Sequence, residues 1–114
     1  MKVSKTVKND IQIIQLSGRL DGNTSPKAQE ELTALLDMKT KVVIDMAECS
    51  FISSAGLRVL LNLAKTLARN GGQGVLAGLG NEVADVMKIT GFGNVFPSFT
   101  KVDQALAALK KGNR

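Results

Sequence analysis

Histidine is absent from the 114 residues of this chain, and cysteine occurs only once, as Cys49. Without histidine the chain has no Ser-His-Asp or Cys-His catalytic arrangement and no histidine-based zinc site. A single cysteine rules out an internal disulfide bond, which fits a protein of the reducing cytoplasm. These absences argue against the common hydrolytic enzymes and against a metalloprotein.

Long apolar segments are missing as well. No apolar run approaches the roughly 20 residues that a membrane helix requires. The first five residues alternate polar and apolar side chains and lack the apolar centre of a signal peptide. We therefore expect one compact cytoplasmic domain over residues 1–114, with its core at 3–109 and a frayed tail at 110–114.

Stacking aromatic residues are scarce, since tryptophan and tyrosine are absent and only four phenylalanines occur. The formal net charge is +5, but the basic residues are spread along the chain and are adjacent only at Lys110 and Lys111. Nucleic-acid-binding proteins usually concentrate their basic residues and add stacking aromatics. The pattern predicts a solvated basic surface and no nucleic-acid partner.

Two glycine-rich segments are candidates for phosphate or dinucleotide binding. Residues 71–74, Gly-Gly-Gln-Gly, lack the Gly-Lys-Ser/Thr ending of a phosphate-binding loop, and residues 78–80, Gly-Leu-Gly, lack the remaining glycine of the dinucleotide fingerprint. Both segments are predicted to be turns. The sequence therefore predicts neither a cofactor nor a bound metal.

Hydrophobic periodicity predicts alternating strands and helices. Strands are expected at 3–8, 11–18, 41–46, 75–77 and 95–96, with a turn at Asn9-Asp10. Four helices are expected. Ser25 is predicted to cap the first, which continues from Pro26 to about Met38, and the second runs from about Ser54 to Asn70. Asn81 is predicted to cap the third, which Gly91 stops, and the fourth begins at Thr100, where Asp103 makes a near capping box. This order predicts a mixed α/β sheet of four or five strands, with an N-terminal hairpin and about four helices packed on it.

Polar residues form one narrow stripe on the second predicted helix. Arg58, Asn62, Lys65 and Arg69 are spaced by 4, 3 and 4 residues, and the rest of the helix is largely apolar. This spacing predicts a mostly buried helix with a single exposed ridge.

The junction before that helix, residues 51–57, reads Phe-Ile-Ser-Ser-Ala-Gly-Leu. Ser53 or Ser54 is expected at the helix N-cap, where a serine oxygen accepts a backbone N–H. The same position tolerates a phosphate, because a helix N-terminus favours negative charge. Asp21, next to Gly22, is a turn residue by its local sequence.

Four segments together resemble the STAS-domain family, specifically the stand-alone bacterial anti-sigma factor antagonists. They are Ser53-Ser54-Ala55-Gly56-Leu57, Gly18-Arg19-Leu20-Asp21, Gly71-Gly72, and the short helix that Gly91 closes. The resemblance implies that Ser54 is the phosphoacceptor. Ser53 stands where the family usually has aspartate, so Ser53 is an alternative acceptor, and docking without phosphorylation is a further possibility.

The resemblance also implies a surface that binds the partner protein. That surface comprises Asp21, Gly22, Ser53, Ser54, Ala55, Gly56, Arg58 and Asn62. For Arg58 and Asn62, simple solvation is the competing interpretation, and for Cys49 we expect a small buried or half-buried side chain.

The function implied is a partner switch rather than catalysis. The unphosphorylated protein would bind an anti-sigma factor that is also a serine kinase of the histidine-kinase-like ATPase type, and so release the sigma factor. Phosphorylation of Ser54 would end the binding, and a serine phosphatase would restore it; ATP would belong to the kinase. Two alternatives are open. The first is a STAS subunit or regulator of a membrane transporter, and the second is a small nucleotide-binding or enzymatic domain. A lone carboxylate is poorly equipped for catalysis, which argues against an enzyme.

Overall fold

The computed structural model describes residues 1–111, which form one six-stranded sheet and four α-helices. The strands are β1 (Lys2–Lys8), β2 (Ile11–Leu20), β3 (Lys41–Asp45), β4 (Cys49–Ile52), β5 (Gln73–Ala77) and β6 (Ser98–Phe99). The helices are α1 (Ser25–Leu35), α2 (Ser54–Arg69), α3 (Asn81–Thr90) and α4 (Val102–Lys111), with a 3₁₀ turn at Phe92–Asn94. The predicted α/β class, N-terminal hairpin and four helices are confirmed.

The hairpin turn follows from its two central residues. Asn9 and Asp10 have φ values of 54° and 63°, and Lys8 pairs with Ile11 across the turn. Positive φ at both central positions is the type I′ geometry, whose twist matches that of the antiparallel strands β1 and β2. Asparagine and aspartate tolerate this region better than most residues, so the predicted turn at Asn9-Asp10 is confirmed.

The remaining strands are parallel, in the sheet order β1-β2-β3-β5-β6. β3 pairs with residues 12–15 of β2, and β4 pairs with residues 18–20 farther along the same strand. The carboxyl ends of β2 and β4 therefore lie side by side. Parallel strands bring the loops that follow them to one edge of the sheet.

Helices cover both faces of the sheet. Ile14, Ile44 and Leu76 pack with α1, α2 and α3 on one face, whereas Val43 and Val75 pack with α4 on the other. This arrangement explains the continuous apolar runs in β3 and β5, because neighbouring residues of a strand point to opposite faces.

Two strand predictions were wrong. β2 was expected to end at Gly18, but this residue adopts φ +108° at a register shift and the strand continues to Leu20 beside β4, a strand that was not predicted. The last strand was expected at 95–96 and lies instead at Ser98–Phe99. Val95 and Phe96 donate their N–H groups to the carbonyl oxygen of Phe92, so they continue the 3₁₀ turn rather than pair in the sheet.

Several helix boundaries also differ from the predictions. Ser25 is the first residue of α1 rather than its cap, because Thr24 holds that position, and the helix ends at Leu35 rather than near Met38. In α3 the cap is Gly80, with Asn81 as the first helical residue.

The final helix also begins later than expected. α4 starts at Val102, and Gln104 Oε1 accepts the N–H of Lys101 at 3.3 Å in place of the expected pairing of Thr100 with Asp103. Residues 110 and 111 of the predicted frayed tail lie in the last turn of α4. Residues 112–114 of that tail lie outside the described part of the chain.

Candidate functional site

The loop after β2 and the start of α2 are joined by a backbone hydrogen bond. Ser53 donates its N–H to the carbonyl oxygen of Leu20 at 3.0 Å, in the same register that pairs Leu20 with Ile52. Asp21 follows Leu20 directly. The structure therefore brings Asp21 and the serine pair to the same edge of the sheet, as the predicted site requires.

Ser53 is the N-cap of α2. Its backbone is extended (φ −102°, ψ 179°), and its Oγ accepts the backbone N–H of Gly56 at 3.4 Å. Its carbonyl oxygen accepts the N–H of Leu57 at 2.9 Å. The side chain is half-buried, so the hydroxyl of Ser53 is engaged in holding the helix start.

Ser54 differs from Ser53 in both position and exposure. It is the first residue of α2, its side chain is exposed, and its hydroxyl has no hydrogen-bond partner among residues 1–111. The first turn of α2 contains no acidic residue. Added negative charge at this position would meet the positive end of the helix dipole rather than a like charge on the same turn.

Gly56 allows α2 to approach β2 closely. A Cβ atom at this position would lie 2.6 Å from the carbonyl oxygen of Leu20 and 2.8 Å from Cγ1 of Ile52. The residue is buried, so it supports the site from beneath rather than lying on its surface. Of the predicted contact residues, Gly56 is therefore the one the structure places away from solvent.

The carboxylate of Asp21 is held within its own loop. Oδ1 accepts the backbone N–H groups of Asn23 at 3.0 Å and Thr24 at 3.1 Å. The hydroxyl of Thr24 in turn accepts the N–H of Asp21 at 2.9 Å and donates to the carbonyl oxygen of Arg19 at 2.7 Å. Asp21 thus shapes the loop that leads into α1, and sequence reasoning missed the role of Thr24 in this network.

These contacts favour the charged form of the carboxylate. The backbone N–H of Thr24 is the largest cause that lowers the pKa of Asp21, with smaller contributions from Asn23, from the Thr24 hydroxyl and from the charge of Arg19. Nε of Arg19 lies 3.6 Å from Oδ2 of Asp21, and its guanidinium carbon lies 4.1 Å from the ring centroid of Phe51. Arg19 therefore links β2 to β4 through the cation–π contact with Phe51, and its ion pair with Asp21 lies within the end of β2 and the loop that follows.

An open groove runs between α1 and α2 next to this edge. Its volume is about 250 Å³, and it is lined by Gly22, Ser25, Pro26, Gln29, Ala55, Arg58, Val59 and Asn62. Four of these were predicted from the sequence, and the exposed ridge of Arg58, Asn62, Lys65 and Arg69 is confirmed. The α1 residues were missed because the packing of α1 on α2 leaves no local signal beyond the four-residue spacing of Ser25 and Gln29.

The other candidate positions offer no chemistry of their own. Cys49 is buried, as expected, and burial raises the pKa of its thiol. Within residues 1–111, no three histidine, cysteine, aspartate or glutamate side chains are grouped so as to hold a metal ion. In the same part of the chain, no helix combines the length and the apolar character needed to cross a bilayer.

Comparisons with known proteins point to one family. The STAS domain family matches residues 2–105 of the chain. A Bordetella bronchiseptica protein, BtrV, provisionally named an anti-sigma factor antagonist, is 35% identical over 111 residues, which cover 96% of each chain. The anti-sigma-B factor antagonist of Bacillus subtilis is 28% identical over 91 residues, or 80% of this chain and 83% of its own.

Solved structures share the fold. The anti-sigma factor antagonist SpoIIAA in its unphosphorylated form superposes with a TM-score of 0.76 at 18% identity, covering 96% of this chain and 97% of its own. The murine anion transporter Slc26a9 contains a similar domain, with a TM-score of 0.79 at 18% identity, but the match covers 89% of this chain and only 18% of the transporter. The family match over residues 2–105 and the 35% identity to BtrV show that the chain belongs to the STAS domain family.

Proposed function

We propose that this chain is an anti-sigma factor antagonist whose binding to its partner ends when Ser54 is phosphorylated. The observation that carries the proposal is the difference between the two serines. Ser54 is exposed and its hydroxyl has no hydrogen-bond partner among the described residues, whereas the hydroxyl of Ser53 caps α2. The names of its relatives BtrV and the Bacillus subtilis antagonist support the choice of an anti-sigma factor as the partner.

The structure supports Ser54 rather than Ser53 as the phosphoacceptor for a steric reason. A kinase can transfer phosphate only to a hydroxyl that is accessible to its active site. Ser53 is half-buried, and its Oγ accepts the N–H of Gly56. Ser54 projects from the first turn of α2 beside the open groove. With serine in place of the family's usual aspartate at position 53, the side chain of Ser54 is exposed.

Phosphorylation would change the surface more than the fold. A phosphate adds about −1.5 to −2 charges at neutral pH, and the helix N-terminus accommodates that charge. A partner that packs against the unmodified surface around Ser54 would instead have to desolvate the phosphate. The partner proposed is an anti-sigma factor that is also a serine kinase of the histidine-kinase-like ATPase type, and a serine phosphatase would reverse the reaction.

Affinity capture from the native host tests this function. Baits with the wild-type sequence, Ser54→Ala and Ser54→Asp are compared by mass spectrometry, with Ser98→Asp as the matched control. Ser98 is an exposed serine on β6, which is separated from β2 by β3 and β5 in the sheet order. We expect a serine kinase on the wild-type, Ser54→Ala and Ser98→Asp baits and its loss from Ser54→Asp.

Two results would overturn the proposal. Equal recovery of the kinase on Ser54→Ala and Ser54→Asp would contradict a switch at this position. Recovery of a membrane transporter instead of an anti-sigma factor would assign the chain to the alternative class, for which the likeness to Slc26a9 is a likeness of fold alone.

A further inference from the structure

Two buried oxygen atoms on the α1 side of the groove lack hydrogen-bond partners. They are Oγ of Ser25, a residue with 5% of its surface exposed, and Oε1 of Gln29, one helical turn later. Both residues line the groove, and no donor from residues 1–110 reaches either atom. An unpaired buried polar atom is unfavourable, so a partner whose donors reach these two side chains would be favoured at this groove.

The α2 side of the same groove supplies a cation without a counter-charge. Arg58 is exposed, no acidic residue occurs in α2, and none is among the residues that line the groove. The one ion pair found among the side chains of residues 1–110 joins Arg19 to Asp21, so it does not involve Arg58. The floor between the two sides is apolar, formed by Ala55 and the buried Val59.

Arg58 is also the charged neighbour of Ser54. The two residues are four apart in α2, a spacing that places side chains on the same face at adjacent turns. Both are exposed, so the guanidinium can reach either the groove or residue 54. A phosphate on Ser54 would be the strongest acceptor available to it.

We propose that the groove between α1 and α2 binds an acidic segment of the anti-sigma factor, and that Arg58 couples this binding to Ser54. In the unphosphorylated protein Arg58 pairs with a carboxylate of that segment, while N–H groups of the segment donate to Ser25 and Gln29. After phosphorylation Arg58 pairs with the phosphate and the groove loses its cation. The identity of the partner rests on the proposed function, whereas the role of Arg58 toward the phosphate belongs to this chain alone.

The first test uses the isolated 114-residue chain with phosphoserine incorporated at position 54. The phosphorus-31 chemical shift is followed against pH for the otherwise wild-type chain, for Arg58→Gln, and for the matched control Lys65→Gln, another exposed cation of the ridge. We expect the second pKa of the phosphate to be about half a unit lower in the wild type and in Lys65→Gln than in Arg58→Gln. Equal values in all three proteins would overturn the coupling.

The second test measures binding of the purified anti-sigma factor recovered by the Ser54→Ala bait. Arg58→Gln should weaken binding by about tenfold, and Ser54→Asp should cost less affinity in the Arg58→Gln background than in the wild type. Gln29→Met removes the unpaired acceptor, so it should weaken binding while leaving the fold as stable as the wild type or more stable. Lys65→Gln is the control and should bind like the wild type.

The two proposals fail in different ways. Wild-type affinity for both Arg58→Gln and Gln29→Met would overturn the groove while leaving the antagonist function intact. Recovery of no anti-sigma factor by the Ser54→Ala bait would overturn the antagonist function and the docking role together. The phosphate titration would still show whether Arg58 interacts with a phosphate on residue 54.

Discussion

The carbonyl oxygen of Leu20 would lie 2.6 Å from a Cβ atom on Gly56. This distance is shorter than real Cβ contacts, so β2 and α2 can approach this closely only because residue 56 has no side chain. The same contact places the start of α2 against the end of β2. It therefore determines where Ser54 emerges relative to the loop of Asp21.

Gly56→Ala should accordingly destabilise the protein. We expect the free energy of unfolding to fall by about 1–3 kcal/mol, because the methyl group must displace backbone rather than a flexible side chain. Gly93→Ala is the control, since a Cβ atom there meets nothing within 4 Å. Urea unfolding followed by circular dichroism measures both, and equal stability of the two variants would contradict the close contact.

Substitutions of the two adjacent serines should have different effects, one on stability and the other on phosphorylation. Ser53→Ala removes the cap on α2 and should lower the free energy of unfolding by about 1 kcal/mol. Ser54→Ala should stay within about 0.5 kcal/mol of the wild type, because its exposed hydroxyl has no hydrogen-bond partner among the described residues.

The same pair of variants tests the phosphorylation site. Both variants are incubated with the recovered kinase and ATP, and the modified residues are mapped by mass spectrometry. Ser54→Ala should take up no phosphate, whereas Ser53→Ala should still be modified at residue 54. Phosphate on Ser53 in the wild type would reverse the assignment of the two serines.

Asp21 should make the stability of the loop depend on pH. Its pKa is lowered in the folded protein, chiefly by the backbone N–H of Thr24, so its charged form stabilises the fold above the unfolded-state pKa. That contribution is lost as the pH falls through the lowered folded-state pKa.

Thermal unfolding of Asp21→Asn and of the wild type across this range provides the measurement. The wild type should melt at a higher temperature at pH 7, and the difference should shrink below about pH 4. Asp85→Asn, an exposed change on α3, is the control and should follow the wild type throughout. A difference that persists undiminished at the lowest pH would show that the loop does not depend on the charge of Asp21.

Cys49 should be unreactive in the folded protein. Its side chain is buried and burial raises the pKa of the thiol, so little of the nucleophilic thiolate is present or accessible. We expect slow labelling by Ellman's reagent in native buffer and complete labelling in concentrated guanidinium. Ser50→Cys, at an exposed position of the same strand, should label rapidly when native, and rapid labelling of Cys49 itself would contradict its burial.

Local sequence alone determined the elements whose signals lie within a few residues. The Asn9-Asp10 turn follows from residues that tolerate positive φ, and the ridge of α2 follows from the spacing of Arg58, Asn62, Lys65 and Arg69. The motif around Ser54 placed the chain in its family, which the match over residues 2–105 confirms.

Tertiary structure decided what depends on distant partners. Cys49–Ile52 forms the strand β4 because it pairs with the end of β2. A segment of only four residues is too short for its own hydrophobic periodicity to predict that pairing. Ser53 and Ser54 are equivalent by local sequence, and only the position of the Gly56 N–H assigned the cap to the first. The groove exists because α1 packs beside α2. This packing places Gln29 and Arg58 on the lining of one groove although they are 29 positions apart in the chain, a separation over which local propensity carries no information.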